Sequence, residues 1–148
     1  MRHKGNNTDV ITQRNDDLMH EYHKIINESE YILLDDIVCQ LANMPAPRFY
    51  VSEERAAFVL SAMHHGKKLK GMQKNKKQMF QELYRRAKKI IKNMKTVDWT
   101  DWIEISHTII VQPAPKFYIT PGSIKVVISR AKRKWYEQKK KKLKHLFF

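Results

Sequence analysis

An octapeptide occurs twice in this chain, and no other feature limits the fold as strongly. Residues 45–52 read Pro45-Ala46-Pro47-Arg48-Phe49-Tyr50-Val51-Ser52, and residues 113–120 read Pro113-Ala114-Pro115-Lys116-Phe117-Tyr118-Ile119-Thr120. Five positions are identical and three are conservative. The offset of 68 residues continues on both sides. It maps Tyr31 on Trp99, Leu34 on Trp102, Ile37 on Ile105 and Leu41 on Ile109, then Ala56 on Ile124, Val59 on Val127, Leu60 on Ile128 and Met63 on Ala131. A fixed-period repeat of this length reads as a tandem duplication. The prolines fix φ and push the residue before them toward extended geometry. Phe-Tyr-Val favours extension as well. Each octapeptide is therefore expected to be an extended elbow. Ser52 and Thr120 are the expected N-caps of the helices that follow, with Pro121 at the first helical position.

The flanking segments carry helical periodicity. In the first copy, Leu18, Tyr22, Ile25 and Ile26 predict a helix from about Asp16 to Asn27. Ser29 is the expected cap of a second, to about Asn43, with Tyr31, Leu34, Ile37, Val38 and Leu41 as its stripe. A third is expected to end near His65, before Gly66. In the second copy, Met79, Leu83, Ala87, Ile90 and Ile91 predict a helix from about Asn75 to Met94. Asp98 is the expected cap of the next, with Val97 and Trp102 as a hydrophobic staple. The last helix has the stripe Ile124, Val127, Ile128, Ala131 and Trp135, after which the pattern thins into Lys139–Lys142. The expected fold is all-α: two three-helix units joined by proline-aromatic elbows. Its expected divisions are a loose N-terminus (1–14), an acidic first repeat (15–66), a basic linker (67–74), a basic second repeat (75–138) and a lysine-rich tail (139–148).

With 148 residues the chain suits one domain or two subdomains of about 70 residues each. Subdomains that small bury little apiece, so the copies are expected to pack together or on a partner. One cysteine, Cys39, rules out an intramolecular disulfide framework and points to a reducing compartment. It lies in an apolar helix and reads as a small core residue. The N-terminal residues show no apolar signal-peptide core, and no apolar run is long enough to span a membrane.

Charge is distributed unevenly. The net +14 combines −4 over residues 1–66, +11 over 67–95, −2 over 96–124 and +9 over 125–148. Residues 67–95 hold 12 basic side chains against one carboxylate, Glu82. Lysine pairs at i, i+4 destabilise a helix by a few tenths of a kcal/mol each, whereas neutralising phosphates releases counterions. A polyanion is therefore the expected partner of this stretch, with Lys67, Lys68, Lys70, Lys74, Lys76, Lys77, Arg85, Arg86 and Lys89 as candidate contacts. On the last helix Ser123, Lys125, Arg130, Lys132, Arg133 and Lys134 lie off the apolar stripe and are the candidate readers. The matching helix of the first copy begins Glu53-Glu54, which repels phosphate, so the acidic first repeat is expected to meet a protein or a second copy of the chain.

Two readings of the elbow stand side by side. Tyr50 and Tyr118, with Phe49 and Phe117, form a stacking platform beside Arg48 or Lys116 for single-stranded nucleic acid. Alternatively Pro47, Phe49, Tyr50, Pro115, Phe117 and Tyr118 are a structural corner. There the phenylalanines plug the core, the tyrosines cover the seam, and the copies pair as a short antiparallel bridge across a pseudo-twofold. The histidine pairs His20/His23 and His64/His65 lack further ligands at metal-site spacing. No phosphate-cradling glycine loop, nucleophile elbow or paired-carboxylate pattern is present. A non-enzymatic protein without cofactor or metal is expected.

The order helix, helix, elbow, helix resembles the trihelical core of helix-turn-helix DNA-binding domains over residues 16–65 and 75–135, although the elbow is longer than the usual turn. That resemblance implies a third helix whose polar face meets the major groove, and DNA rather than RNA as ligand. The octapeptide is also similar to one in small uncharacterised proteins of Bacteroidetes phages and mobile elements. This implies a bacterial host cytoplasm or a phage particle as the setting, with a regulatory or accessory role. A virion or assembly component touching packaged DNA or an acidic protein is the alternative.

Overall fold

A computed structural model describes residues 5–30 and 33–147. They form six α-helices: α1 (Gly5–Glu28), α2 (Leu34–Asn43), α3 (Glu53–His64), α4 (Lys74–Ile91), α5 (Trp99–Ile110) and α6 (Pro121–Phe147). The fold is all-α, and the described residues contain no strand beyond one isolated bridge.

Local chemistry sets most of the boundaries. The Ser52 hydroxyl accepts from the Arg55 N–H at 3.2 Å, and Glu53 and Glu54 sit at the positive end of α3. That helix closes through Gly66 at φ 84°, a left-handed conformation in which a side chain is strained. Asp98 accepts from the Asp101 N–H at 2.8 Å while Asp101 accepts from the Asp98 N–H at 3.1 Å, a reciprocal capping box. Thr120 accepts from the Ser123 N–H at 3.2 Å and opens α6.

Three boundaries differ from expectation. Helix α1 starts at Gly5, well inside the stretch expected to be loose. Val10 and Gln13 line a cavity with Val51 and Ile110, and burial holds the Arg14 pKa below its usual value. Helix α2 starts at Leu34 instead of after Ser29. The Leu33 carbonyl accepts the Asp36 and Ile37 N–H groups, and Asp35 and Asp36 occupy the positive end. Helix α6 runs through the lysine block to Phe147, because lysine is a good helix former that needs no burial. The expected stripe position Tyr31 lies outside the described residues, as do residues 1–4 and Phe148.

The helices sort into two compact units that do not follow the order of the chain. One comprises the residues up to Arg14 together with Asn43–Tyr118, and the other comprises Asn15–Ala42 and the residues from Ile119 onward. In the first unit α3 packs on α5 and α4, and these two pack on each other. Its core joins Ala56, Ala57, Val59 and Leu60 to Phe80, Leu83, Trp102 and Ile109. The second unit buries Leu18, Tyr22 and Ile25 of α1, Ile37, Val38 and Leu41 of α2, and Ile124 and Ile128 of α6. The spans 15–66 and 75–138 are thus interleaved: the third helix of each belongs to the unit holding the first two helices of the other. Burial follows the 68-residue offset at many positions but not at Leu34 and Trp102, of which the first is exposed and the second buried. Ile37 and Ile105, Leu41 and Ile109, Ala46 and Ala114, Phe49 and Phe117, Val51 and Ile119, Ala56 and Ile124, and Leu60 and Ile128 are buried in pairs. Cys39 is exposed rather than in the core, on the side of α2 away from Val38 and Leu41.

Candidate nucleic-acid interface

Neither octapeptide is helical, and the two meet. Ala46 and Ala114 exchange both backbone hydrogen bonds at 2.9 Å, an antiparallel bridge one residue long. Phe49 stacks on Tyr118 with ring centroids 6.1 Å apart, and Tyr50 stacks on Phe117 at 5.7 Å. The pairing is reciprocal, each phenylalanine meeting the other copy's tyrosine, as an approximate two-fold requires. Phe49 and Phe117 are buried, and Tyr50 and Tyr118, which are half-buried, each stack one ring face on them. These contacts are the ones that the structural-corner reading expects: phenylalanines in the core and a short antiparallel bridge between the copies. Tyr118 has φ 57°, a left-handed conformation that is strained for an aromatic residue. Burial, and next the nearby Glu82 carboxylate, raise its pKa.

Arg86 fastens this corner. Its guanidinium donates to Glu82 at 3.1 Å, to the Gln112 side chain at 3.1 Å and to the Pro113 carbonyl at 3.0 Å. It also lies 4.8 Å from the centre of the Phe49 ring. Arg85 grips the other side of Glu82 at 2.6 and 2.9 Å. The Arg85 hydrogen bond is the main cause, with Arg86 assisting, that lowers the Glu82 pKa from 4.5 to about 2. Arg85 and Arg86 were both expected to contact a polyanion, and the fold gives Arg86 a different task. Arg48 is likewise engaged, donating to the Phe49 carbonyl and to Gln13, each at 3.1 Å.

With Glu82 taken by arginines, the lysines of residues 67–95 have no carboxylate partner among the described residues. The linker bends at Gly71, φ 72°, and brings Lys67, Lys68 and Lys70 alongside Lys77, Gln81 and Tyr84 of α4. Together they line an open cleft of about 460 Å³. The spacing of Lys77, Gln81, Tyr84 and Lys88 puts these four on one face of α4. The Lys88 ammonium lies 4.9 Å from the Tyr84 ring centre, and the Tyr84 hydroxyl is 3.2 Å from Nδ1 of His64. Tyr84, Lys88 and His64 were not among the expected site residues. The i, i+4, i+7, i+11 spacing was the available signal, obscured by charge on every side of α4. Lys74, Lys76 and Lys89 are exposed along the same helix.

The candidate readers of α6 do not converge. Lys125 forms an ion pair with Asp35 of α2, and Lys132 sits 5.5 Å from the centre of the Tyr22 ring of α1. The Ser123 hydroxyl accepts from Thr120 at 3.0 Å. Arg130, Arg133 and Lys134 are exposed. Part of the acidic surface of the first repeat therefore meets α6 of the same chain. Among the described residues no three His, Cys, Asp or Glu side chains converge as metal ligands, and no helix is long and apolar enough to cross a membrane. No family model, curated protein or solved structure matches the chain.

Proposed function

We propose that this is a non-enzymatic nucleic-acid-binding protein that grips the phosphate backbone, of duplex DNA before RNA, in an accessory role of the phage or mobile-element type. The lysine cleft between the linker and α4 carries the proposal: Lys67, Lys68, Lys70 and Lys77 converge there with no ion-paired carboxylate among the described residues. Such a cluster opposes folding through self-repulsion and gains free energy when phosphates displace condensed counterions. The α6 residues Arg130, Arg133 and Lys134 extend the cationic surface of the second unit.

Lys125 and Lys132 face their own α2 and α1, and this favours contact that is blind to sequence. A packaging or assembly component that touches DNA would behave in the same way, and this second reading rests on that observation. The test is the salt dependence of binding to two unrelated duplexes. Sequence-blind phosphate contact predicts the same affinity for both, falling with a slope of about −0.9 in log affinity against log salt per phosphate neutralised. Replacing Lys67, Lys68, Lys70 and Lys77 by Gln should flatten that slope by roughly three to four. An unchanged slope in the quadruple variant removes the cleft from the interface. An affinity gap between the duplexes that persists at physiological salt restores a sequence-reading regulator.

A further inference from the structure

Trp135 and Tyr136 stand outside the core, 54% and 61% exposed, although Trp135 continues the stripe of Ile124 and Ile128. They form one wall of a groove of about 560 Å³ within the second unit, facing Asp16, Met19 and His23 of α1, with Ala131 and Lys132 beside them. The indole and phenol rings meet edge to face, centroids 5.2 Å apart at 76°. The Lys139 ammonium lies 4.5 Å from the centre of the indole. The groove thus combines an aromatic wall, a thioether and methyl lining, one carboxylate acceptor, the His23 imidazole and the Lys132 side chain, with the Lys139 ammonium against the indole at its edge.

We propose that this groove takes up an unpaired nucleobase by stacking on Trp135. An adenine, guanine or cytosine offers a π face to the indole and an exocyclic amine to Asp16, and lysines on the same helix, Lys132 and Lys139, supply charge for its phosphate. An isolated anion would meet Asp16 as a repulsive neighbour, and an acyl chain would have to desolvate both Asp16 and His23. The aromatic pair lies on the segment of residues 125–148 that carries net +9, so phosphate attraction and stacking act from the same helix. The inference rests on the nucleic-acid reading above and narrows its ligand to nucleic acid with a single-stranded segment.

The experiment uses the full chain and two DNA probes: a blunt duplex, and the same duplex with a single-stranded overhang that contains 2-aminopurine. The overhang probe should bind at least about fivefold more tightly, the lower end of what one stacked base contributes, and its 2-aminopurine emission should be quenched on binding. Trp135→Ala should bring overhang affinity down to that of the blunt duplex and abolish the quench, and Trp135→Phe should keep part of both. The side chain is half exposed, so the fold survives its removal, as circular dichroism would verify. Equal affinity for the two probes in the wild type, with emission unaffected by Trp135→Ala, overturns the inference and leaves phosphate contact standing. Failure to bind either probe overturns both readings. Binding to anionic vesicles that Trp135→Ala weakens, with the overhang probe untouched, assigns the groove to a lipid surface and also overturns the proposal.

Discussion

Two arginines adjacent in sequence differ sharply in what they do. Arg85 is more than half exposed and pairs with Glu82, whereas Arg86 is largely covered and joins Glu82, Gln112, the Pro113 carbonyl and the Phe49 ring. Arg86→Ala should cost about 1–2 kcal/mol in urea denaturation, because it removes the hydrogen bonds to Gln112 and the Pro113 carbonyl, one of the two arginines on Glu82 and the cation over the Phe49 ring. Arg85→Ala should cost under about 1 kcal/mol, as for other exposed ion pairs. Glu82 ties the same residues to pH. Its pKa falls from 4.5 to about 2 on folding, so its ionised form stabilises the native state fully above about pH 4.5. That contribution drains away as the pH drops toward 2. Glu82→Gln should therefore flatten the acid side of the stability profile between those values, measured by denaturant midpoint against pH. An unchanged slope would show that Arg85 and Arg86 do not hold the carboxylate in solution. Composition counts Arg86 as one cation among twelve in residues 67–95. Only the contact between α4 and the elbow separates it from the rest.

Among the elements, α6 shows where local rules apply and where they stop. Its cap, Thr120, and its first residue, Pro121, follow from the sequence, and Ile124 and Ile128 are buried as the stripe requires. The stripe then fails at Trp135, since no described core reaches that position. The helix itself persists to Phe147, with Lys139 to Lys144 exposed. Ending the chain after Gln138 should therefore leave stability within about 0.5 kcal/mol of wild type. It should weaken binding equally on all duplex sequences and reduce the salt slope by about one unit per lost phosphate contact. A thermal midpoint that drops by many degrees would mean that the lysine segment packs, and a loss confined to one duplex would mean that it reads sequence.

At the scale of the whole molecule, the interleaving of the units carries a direct consequence. Helix α3 is joined by the chain to α2 but buries Ala56, Ala57, Val59 and Leu60 in the unit of α4 and α5. Division between Gly66 and Lys67 separates α3 from that core. Fragments 1–66 and 67–148 should each lack a cooperative thermal transition when alone, and a mixture of the two should recover one. Sharp unfolding by residues 67–148 alone would show that α3 is dispensable to the α4–α5 core. Charge also behaves differently at this scale. The acidic first repeat was expected to face a partner, yet Asp35 meets Lys125 of α6 within the second unit, and Glu53 meets His107 of α5 within the first.

The sequence by itself determined the helical class, the caps at Ser52, Asp98 and Thr120 and the non-helical elbows. Each of these follows from interactions spanning a few residues, or from a hydrophobic period that any packing must respect. The destination of each third helix was decided only by the tertiary structure. An apolar stripe states that a face must be covered and leaves open which helix covers it. The same holds for the cations. Lys67, Lys70 and Lys77 line an open cleft with no ion pair among the described residues, whereas Arg86 and Lys125 are held within the protein, because the Pro113 carbonyl, the Phe49 ring and the Asp35 carboxylate come from segments distant in sequence.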